Sequence, residues 1–301
     1  MSEALIVTKG LTKYYGKNIG IVDLDLEVKK GEIYGFLGPN GAGKTTTIRT
    51  LLDFIRPTKG TAAIFGLDAR KDNVRIKNRI GYLPGELELY KKLNGSELLR
   101  HFSNLRGNVD WRHVKNLAER LDFDMSKPAR SLSSGNKHKL GLIQAFMHKP
   151  DLLILDEPTV GLDPLMQQEF YELVLEAQEE GQTAFISSHI LPEVERICDR
   201  VAFIRKGKLI DVKEISDLKA QAFRQIEITF AQAVPKDEFS NLAGVQDVVV
   251  EDTVLRCTVA GSLDAVIKAA ARFEVVNLIS HEPNLEDIFL NYYGGEQSAA
   301  S

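Results

Sequence analysis

Gly38-Pro39-Asn40-Gly41-Ala42-Gly43-Lys44-Thr45 is the stretch on which the reading of this 301-residue chain turns. Before it, Ile33 to Leu37 is a continuous apolar run, which reads as a fully buried strand. After it, Thr45 to Phe54 reads as a helix that ends before Pro57. A buried strand, a glycine-rich turn of this spacing and a helix form the P-loop pattern with nothing missing. Glycines let the backbone curl until successive N–H groups point at an anion, and the helix N-terminus adds free donors and a positive dipole end. Lys44 is expected to reach the β- and γ-phosphates of a nucleotide, and the Thr45 hydroxyl to ligate Mg²⁺.

A second acidic strand follows far downstream. Leu152-Leu153-Ile154-Leu155 ends in Asp156-Glu157-Pro158. Ligands of open α/β sheets sit at the carboxyl ends of such strands. Asp156 is therefore expected to hold Mg²⁺, as a Walker-B aspartate does, and Glu157 to orient or activate the attacking water. Mg-ATP is the expected ligand and its hydrolysis the expected chemistry.

The rest of the chain bounds the possibilities. Hydrophobic residues make up 44% and charged residues 27%, an ordinary globular balance with material for a sizeable core. The formal net charge of −4 argues against a nucleic-acid partner, which calls for a basic field. The two cysteines, Cys198 and Cys257, sit near no histidine at metal-ligand spacing and read as small buried hydrophobes. No apolar run spans a bilayer and the N-terminus lacks a signal-peptide pattern. The chain is expected on the cytoplasmic side, with any membrane spans supplied by another polypeptide.

Outward from the loop, Leu24, Leu26 and Val28 alternate with Asp25 and Glu27 as a half-buried strand. The middle reads as helical. Ser96 can cap a helix with Leu98, Leu99, Phe102 and Leu105 on one face, and Asp110 a second with Val114, Leu117 and Leu121. A third runs from about Gly135 to Lys149 and stops at Pro150. Strand and helix then alternate: Leu152 to Leu155, Leu165 to Glu180 closed by Gly181, Thr183 to Ser187, and a hairpin from Val201 to Val212 turning at Lys206-Gly207. Beyond about residue 215 the order becomes strand at Ile226 to Phe230, helix near Lys236 to Leu242, hairpin at Val245 to Val250 and Val254 to Val259, helix at Ser262 to Arg272, and strand at Phe273 to Ile279, before a last helix at Leu285 to Tyr293. That is the split arrangement of ferredoxin-like folds.

Five elements, in this order, resemble those of the nucleotide-binding subunit of ATP-binding cassette (ABC) transporters. They are Lys13-Tyr14-Tyr15-Gly16, the P-loop, Leu132-Ser133-Ser134-Gly135-Asn136, Asp156-Glu157 followed by Gly161-Leu162-Asp163, and Ser187-Ser188-His189. The match covers roughly residues 4 to 212. The resemblance implies an α/β P-loop NTPase cassette, a mixed sheet with an antiparallel part and a helical subdomain at about 86–150. Residues 1–214 would form this ATP-binding domain and 215–301 a small α+β ferredoxin-like accessory domain. It further implies a nucleotide site built from Tyr15 (stacking on adenine, or else a core aromatic), Gly38, Pro39, Asn40, Gly41, Ala42, Gly43, Lys44, Thr45 and Thr46. Thr45 and Asp156 would hold the metal, and Glu157, His189 and Lys44 would be catalytic. Ser133, Gly135 and Asn136 start a helix and can bind an anion, which the resemblance identifies as the γ-phosphate held by a second subunit. Asp163 would contact that subunit. Read alone, Ser133 is only an N-cap. His101, His113, His138, His148 and His281 read as surface or structural.

Two departures stand out. The family usually has glutamine where this chain has Gly85, and Glu86 is the neighbour that could substitute. Ser134 and Asn136 stand where glycine and glutamine are commoner. The ending Glu282-Pro283-Asn284-Leu285-Glu286-Asp287-Ile288-Phe289-Leu290 resembles that of bacterial antibiotic-resistance and drug-efflux exporter ATPases. The resemblance therefore implies a transport motor: a homodimer closed by ATP, working on a separate transmembrane permease docked near residues 82–105, around Leu87, Leu89 and Tyr90. The competing reading is a soluble ABC-type ATPase of translation or DNA maintenance. Such relatives carry two cassettes or long coiled coils, and this chain shows one P-loop and no sustained heptads.

Overall fold

The computed structural model describes residues 3–281, apart from Lys91, Asn108 and Ala222. Chain contacts divide into two compact units, Met1–Lys213 and Glu214–Ser301. The core of the first is set by strands with no polar face. β4 (Ile33–Leu37), β8 (Leu152–Asp156) and β9 (Thr183–Ser188) are buried at every position, as strands covered on both sides must be.

In chain order the first unit opens with β1 (Ala4–Tyr15), β2 (Asn18–Leu24), β3 (Glu27–Lys29), β4 and helix α1 (Lys44–Leu51). Then come β5 (Lys59–Ile64), β6 (Leu67–Asp68), α2 (Asn73–Lys77), β7 (Ile80–Leu83), α3 (Gly95–Arg106), α4 (Trp111–Arg120) and α5 (Ser134–Phe146). It closes with β8, α6 (Pro164–Glu179), β9, α7 (Leu191–Ile197), β10 (Arg200–Arg205) and β11 (Lys208–Glu214). One sheet has the order β2-β1-β5-β6 with β3 also on β1, and its pairings are antiparallel. The other has the order β11-β10-β4-β9-β8-β7, and β10, β4, β9, β8 and β7 run parallel. This is the mixed, two-sheet cassette with a helical stretch inserted between β7 and β8.

The parallel register positions everything that follows. Leu37 lies opposite Ser188, Asp156 opposite Ser187, and Leu83 opposite Leu155. The carboxyl ends of β4, β9, β8 and β7 therefore share one rim. Gly38, His189, Glu157 and Pro84 are the first residues beyond it.

The second unit begins with α8 (Ile215–Gln221) and continues with β12 (Phe223–Phe230), α9 (Asp237–Ser240), β13 (Val245–Glu251), β14 (Val254–Ala260), α10 (Asp264–Ala270) and β15 (Val275–His281). Its sheet has the order β13-β14-β12-β15 with antiparallel pairings, the ferredoxin-like arrangement expected from the alternation of elements. Ile226, Ile228 and Phe230 of β12 pack with Phe239, Leu255, Val259 and Val266.

Several local expectations need correction. The run from Leu24 to Val28 is broken after Leu24, where Leu24 ends β2 and Glu27 starts β3. The cap of α3 is Asn94, not Ser96. Asn94 and Glu97 form a reciprocal capping box, with the Asn94 side chain accepting from Glu97 N at 2.9 Å and Glu97 Oε2 accepting from Asn94 N at 2.8 Å. Leu105 is 69% exposed, so it is not on the buried face that Leu98 and Leu99 form. Asp110 does cap α4, accepting from Arg112 N. The expected helix at Leu285 to Tyr293, and the exporter-like ending that contains it, lie outside the described residues.

Candidate functional site

The loop between β4 and α1 is shaped by space as much as by dihedral freedom. A Cβ on Gly38 would stand 2.4 Å from the Ile204 carbonyl oxygen, closer than any real contact. Gly43 has φ 112° and caps α1 without a side chain, so the N–H groups of the first turn are left to a ligand. The loop borders a cavity of about 250 Å³ lined by Tyr15, Ile19, Gly20, Asn40, Gly41, Gly43, Lys44, Thr45, Thr46 and Glu157. Tyr15 is 47% exposed, a solvent-facing ring and not a core aromatic, with Lys13 Nζ 5.3 Å from its centroid.

Charged groups converge at the inner end of this cavity. Lys44 is buried, and its ammonium donates to the carbonyls of Gly38 and Pro39 and pairs with Glu157 Oε1 at 3.1 Å. Glu157 Oε2 lies 2.8 Å from His189 Nδ1. Thr45 Oγ1 donates to Asp156 Oδ2 at 2.8 Å, and Ser187 Oγ donates to Asp156 Oδ1 at 2.6 Å. The buried Asp156 carboxylate thus has both oxygens engaged. Glu157 has φ 53°, a left-handed conformation that a residue other than glycine holds only against strain of about 1–3 kcal/mol. Its N–H donates to Ser187 O and Ser187 Oγ, which pins the strained residue to β9.

The other expected site residues form a second group. Ser133 caps α5, accepting from Asn136 N at 3.2 Å and from Asn136 Nδ2 at 3.0 Å. A Cβ on Gly135 would stand 2.7 Å from Gly161 O, so the helix start lies directly against the segment after Glu157. Asp163 caps α6, accepting from Leu165 N and Met166 N. None of Ser133, Gly135, Asn136 and Asp163 lines the cavity beside Lys44. A single copy of the chain thus holds two separate groups, the first at the N-terminus of α1 and the second at the N-termini of α5 and α6.

Gly85 borders the Asp156 carboxylate: a Cβ there would be 3.4 Å from Asp156 Oδ2, an ordinary contact. Leu87 and Leu89 are half-buried, while Tyr90 is 65% exposed. Ser187 was quoted in the sequence only as a neighbour of His189. Its role in fixing Asp156 and Glu157 depends on the β8–β9 register, which no local pattern announces. Tyr82 of β7 lies near the same carboxylate: burial pushes its hydroxyl up to about 12, with the charge of Asp156 adding to the rise and Arg49 opposing it.

Comparison with known proteins agrees with this geometry. The family model described as ABC transporter matches residues 21–160. The linearmycin resistance ATP-binding protein LnrL of Bacillus subtilis (strain 168) is 32% identical, over 96% of this chain and 98% of that protein. The bacitracin transport ATP-binding protein BcrA of Bacillus licheniformis is 36% identical, over 97% and 98%. A solved structure of the ATP-binding subunit of an ABC transporter superposes with a TM-score of 0.66 at 29% identity, covering 71% of this chain and 92% of that one. With relatives this similar along almost their whole length, and with lysine, paired carboxylates and histidine on one rim, the chain belongs to the ABC transporter family as an ATP-binding, ATP-hydrolysing subunit.

Proposed function

We propose that this chain is the motor of a membrane exporter, with residues 1–214 as the ATPase domain and 215–301 as an accessory domain. Two copies would each contribute one P-loop group and one Ser133–Asn136 group, sandwiching two ATP molecules. ATP binding closes the pair and hydrolysis reopens it, and a separate transmembrane subunit converts that motion into transport. The observation that carries this reading is the contact chain Lys44–Glu157–His189 beside the Thr45–Asp156 pair. The names of the relatives support the exporter part. Among the described residues no helix is long and apolar enough to cross a membrane, so the spans are assigned to the partner and the chain to the cytoplasmic face of the membrane.

The donor set fits Mg²⁺. Thr45 and Asp156 offer a hydroxyl and a carboxylate 2.8 Å apart, and among the described residues no cluster of three His, Cys, Asp or Glu could hold a metal alone. Mg²⁺ is typically held by one or two protein oxygens, phosphate oxygens and water. Bound there, it would neutralise charge on the transferring phosphoryl group. Tyr15 stacks the adenine, the Gly38 to Thr46 backbone and Lys44 hold the phosphates, Glu157 orients the water, and His189 fixes Glu157 and the γ-phosphate end. Glu86, exposed beside Gly85, is proposed to stand in for the glutamine the family usually has. Unchanged Mg²⁺ dependence and turnover in Glu86→Ala would remove that role.

Replacing Glu157 by Gln tests the site: ATP binding should persist while turnover falls by about 10²–10⁴-fold. The same tagged variant, held closed with ATP and recovered from gently solubilised native cells, tests the motor. A multi-span membrane protein should come with it. Ribosomes or DNA-repair factors without a membrane protein would replace the exporter reading with that of a soluble ATPase.

A further inference from the structure

Glu193 stands half-buried in the first turn of α7 and has no role in the chemistry above. Each of its carboxylate oxygens takes one hydroxyl: Thr159 Oγ1 donates to Oε1 at 2.6 Å, and Ser188 Oγ donates to Oε2 at 2.8 Å. Thr159 and Ser188 are both buried, so each O–H needs a partner within the protein. The two donors belong to the two segments whose side chains meet at the site. Thr159 lies two residues after Glu157, and Ser188 directly precedes His189. Ser188 also frames the His189 backbone, since its Oγ accepts from Ile190 N at 2.9 Å and its carbonyl accepts from Gly38 N at 3.1 Å. That hydroxyl has one proton to give, and Glu193 is a nearer acceptor than Ile190 O at 3.3 Å. On the other segment, Ser187 fixes the start at Glu157 N. The turns from Val160 N to Glu157 O and from Leu162 N to Thr159 O stay within the segment. Glu193 is the tie that reaches it from α7. With His189 Nδ1 2.8 Å from Glu157 Oε2, these bonds close a ring through Glu157, His189, Ser188, Glu193 and Thr159.

We propose that Glu193 is a positioning residue for the His189–Glu157 pair. From the side of the ring opposite the pair, its carboxylate sets the separation of the two segments, so that the imidazole and the Glu157 carboxylate are held in register with each other. The assignment rests on His189 and Glu157 acting together, as argued above.

Steady-state ATPase kinetics on the full chain test it with three variants. Glu193→Ala removes both acceptors. Its kcat should fall about tenfold, less than the roughly 10²-fold that a 1 Å misplacement can cost, with KM for ATP unmoved. Glu193→Gln keeps the length and can still join the segments, its oxygen accepting from one hydroxyl and its amide donating to the other, and it should recover most of kcat. Thr159→Val keeps the shape and cuts one tie. It should lower kcat about as far as Glu193→Ala does, and the double variant should be no worse than either. An unchanged kcat in Glu193→Ala, Gln no better than Ala, a rise in KM at constant kcat, or additive losses in the double variant would each overturn the proposal. So would a loss of kcat that tracks a lowered melting midpoint in Glu193→Ala and Thr159→Val alike, which marks an anchor for α7 alone. Glu157→Gln run in parallel separates the two levels. Turnover retained in that variant removes the role of Glu157, whereas turnover lost there but kept in Glu193→Ala removes only the role of Glu193.

Discussion

The two units treat polar groups in opposite ways. Among the described residues, every buried polar or charged side chain, from Thr8 to Ser188, lies in the unit Met1–Lys213. The unit Glu214–Ser301 has an apolar interior around Ile228, Phe239 and Leu255, and its charged groups pair at the surface, as Arg256 does with Glu227 and Glu251. Strand direction goes with the difference. Parallel strands of the first unit end on one rim, so Lys44, Asp156, Glu157 and His189 are delivered together and partly desolvated. Antiparallel strands of the second unit end alternately on opposite rims, and the described residues there assemble no comparable cluster. Burying polar groups without partners costs free energy, so the first unit bears that cost where its chemistry is done, and the second is built for stability of its own sheet.

The comparison can be broken at its largest contrast first. Lys44→Ala removes the buried cation from the rim, and ATP turnover should fall by about 10³-fold or more, read in a phosphate-release assay, with the second unit's hydrogen-exchange protection unchanged. Ile228→Ala makes the converse cut. The side chain is fully buried, so the second unit should lose about 2–5 kcal/mol of local stability. Exchange rates of β12 and β14 would show it, while ATP affinity stays at the unmodified value. If both units melted together in that variant, their independence would be lost.

Gly43→Ala probes the loop by itself. With φ 112° and the Gly20 carbonyl oxygen 2.7 Å from the new Cβ, strain of about 1–3 kcal/mol should appear as weaker ATP binding in a titration. Acid sharpens the comparison further. His148 Nε2 lies 3.2 Å from Ile80 O, and burial, with Arg106 nearby, holds the ring down to about 4. A histidine depressed in the fold contributes stability that is complete above its ordinary value near 6.5 and is lost as pH falls toward 4. The first unit should therefore lose exchange protection across that window, and His148→Gln should flatten the acid limb. Smallest of all, Arg256→Ala removes a half-exposed surface pair and should leave the melting midpoint unmoved.

Much of the nucleotide site was legible because its signals are local. Gly38 to Thr45 needs positive φ, close backbone approach and a helix start within eight residues, and Asp156-Glu157 announces itself at the end of an all-apolar strand. The α3 cap was misread because Ser96 and Asn94 are both capping types, and only the reciprocal bonds with Glu97 distinguish them. Leu105 followed the helical period yet faces water, since the period marks a face but does not fix where packing against α5 ends.

The sequence by itself determined the kinds of element, the phosphate loop, the paired carboxylates and the family to which they point, because each depends on residues within one or two turns of each other. Tertiary structure alone decided that Leu37 faces Ser188 and Asp156 faces Ser187, and hence that Ser187 braces the Asp156 carboxylate and the Glu157 backbone and that His189 meets Glu157. The physical reason is that β4, β8 and β9 are buried on both faces. Their side chains carry no alternation to specify register, and the pairing is settled only when strands far apart in the chain, as Leu37 is from Ser188, pack into one sheet.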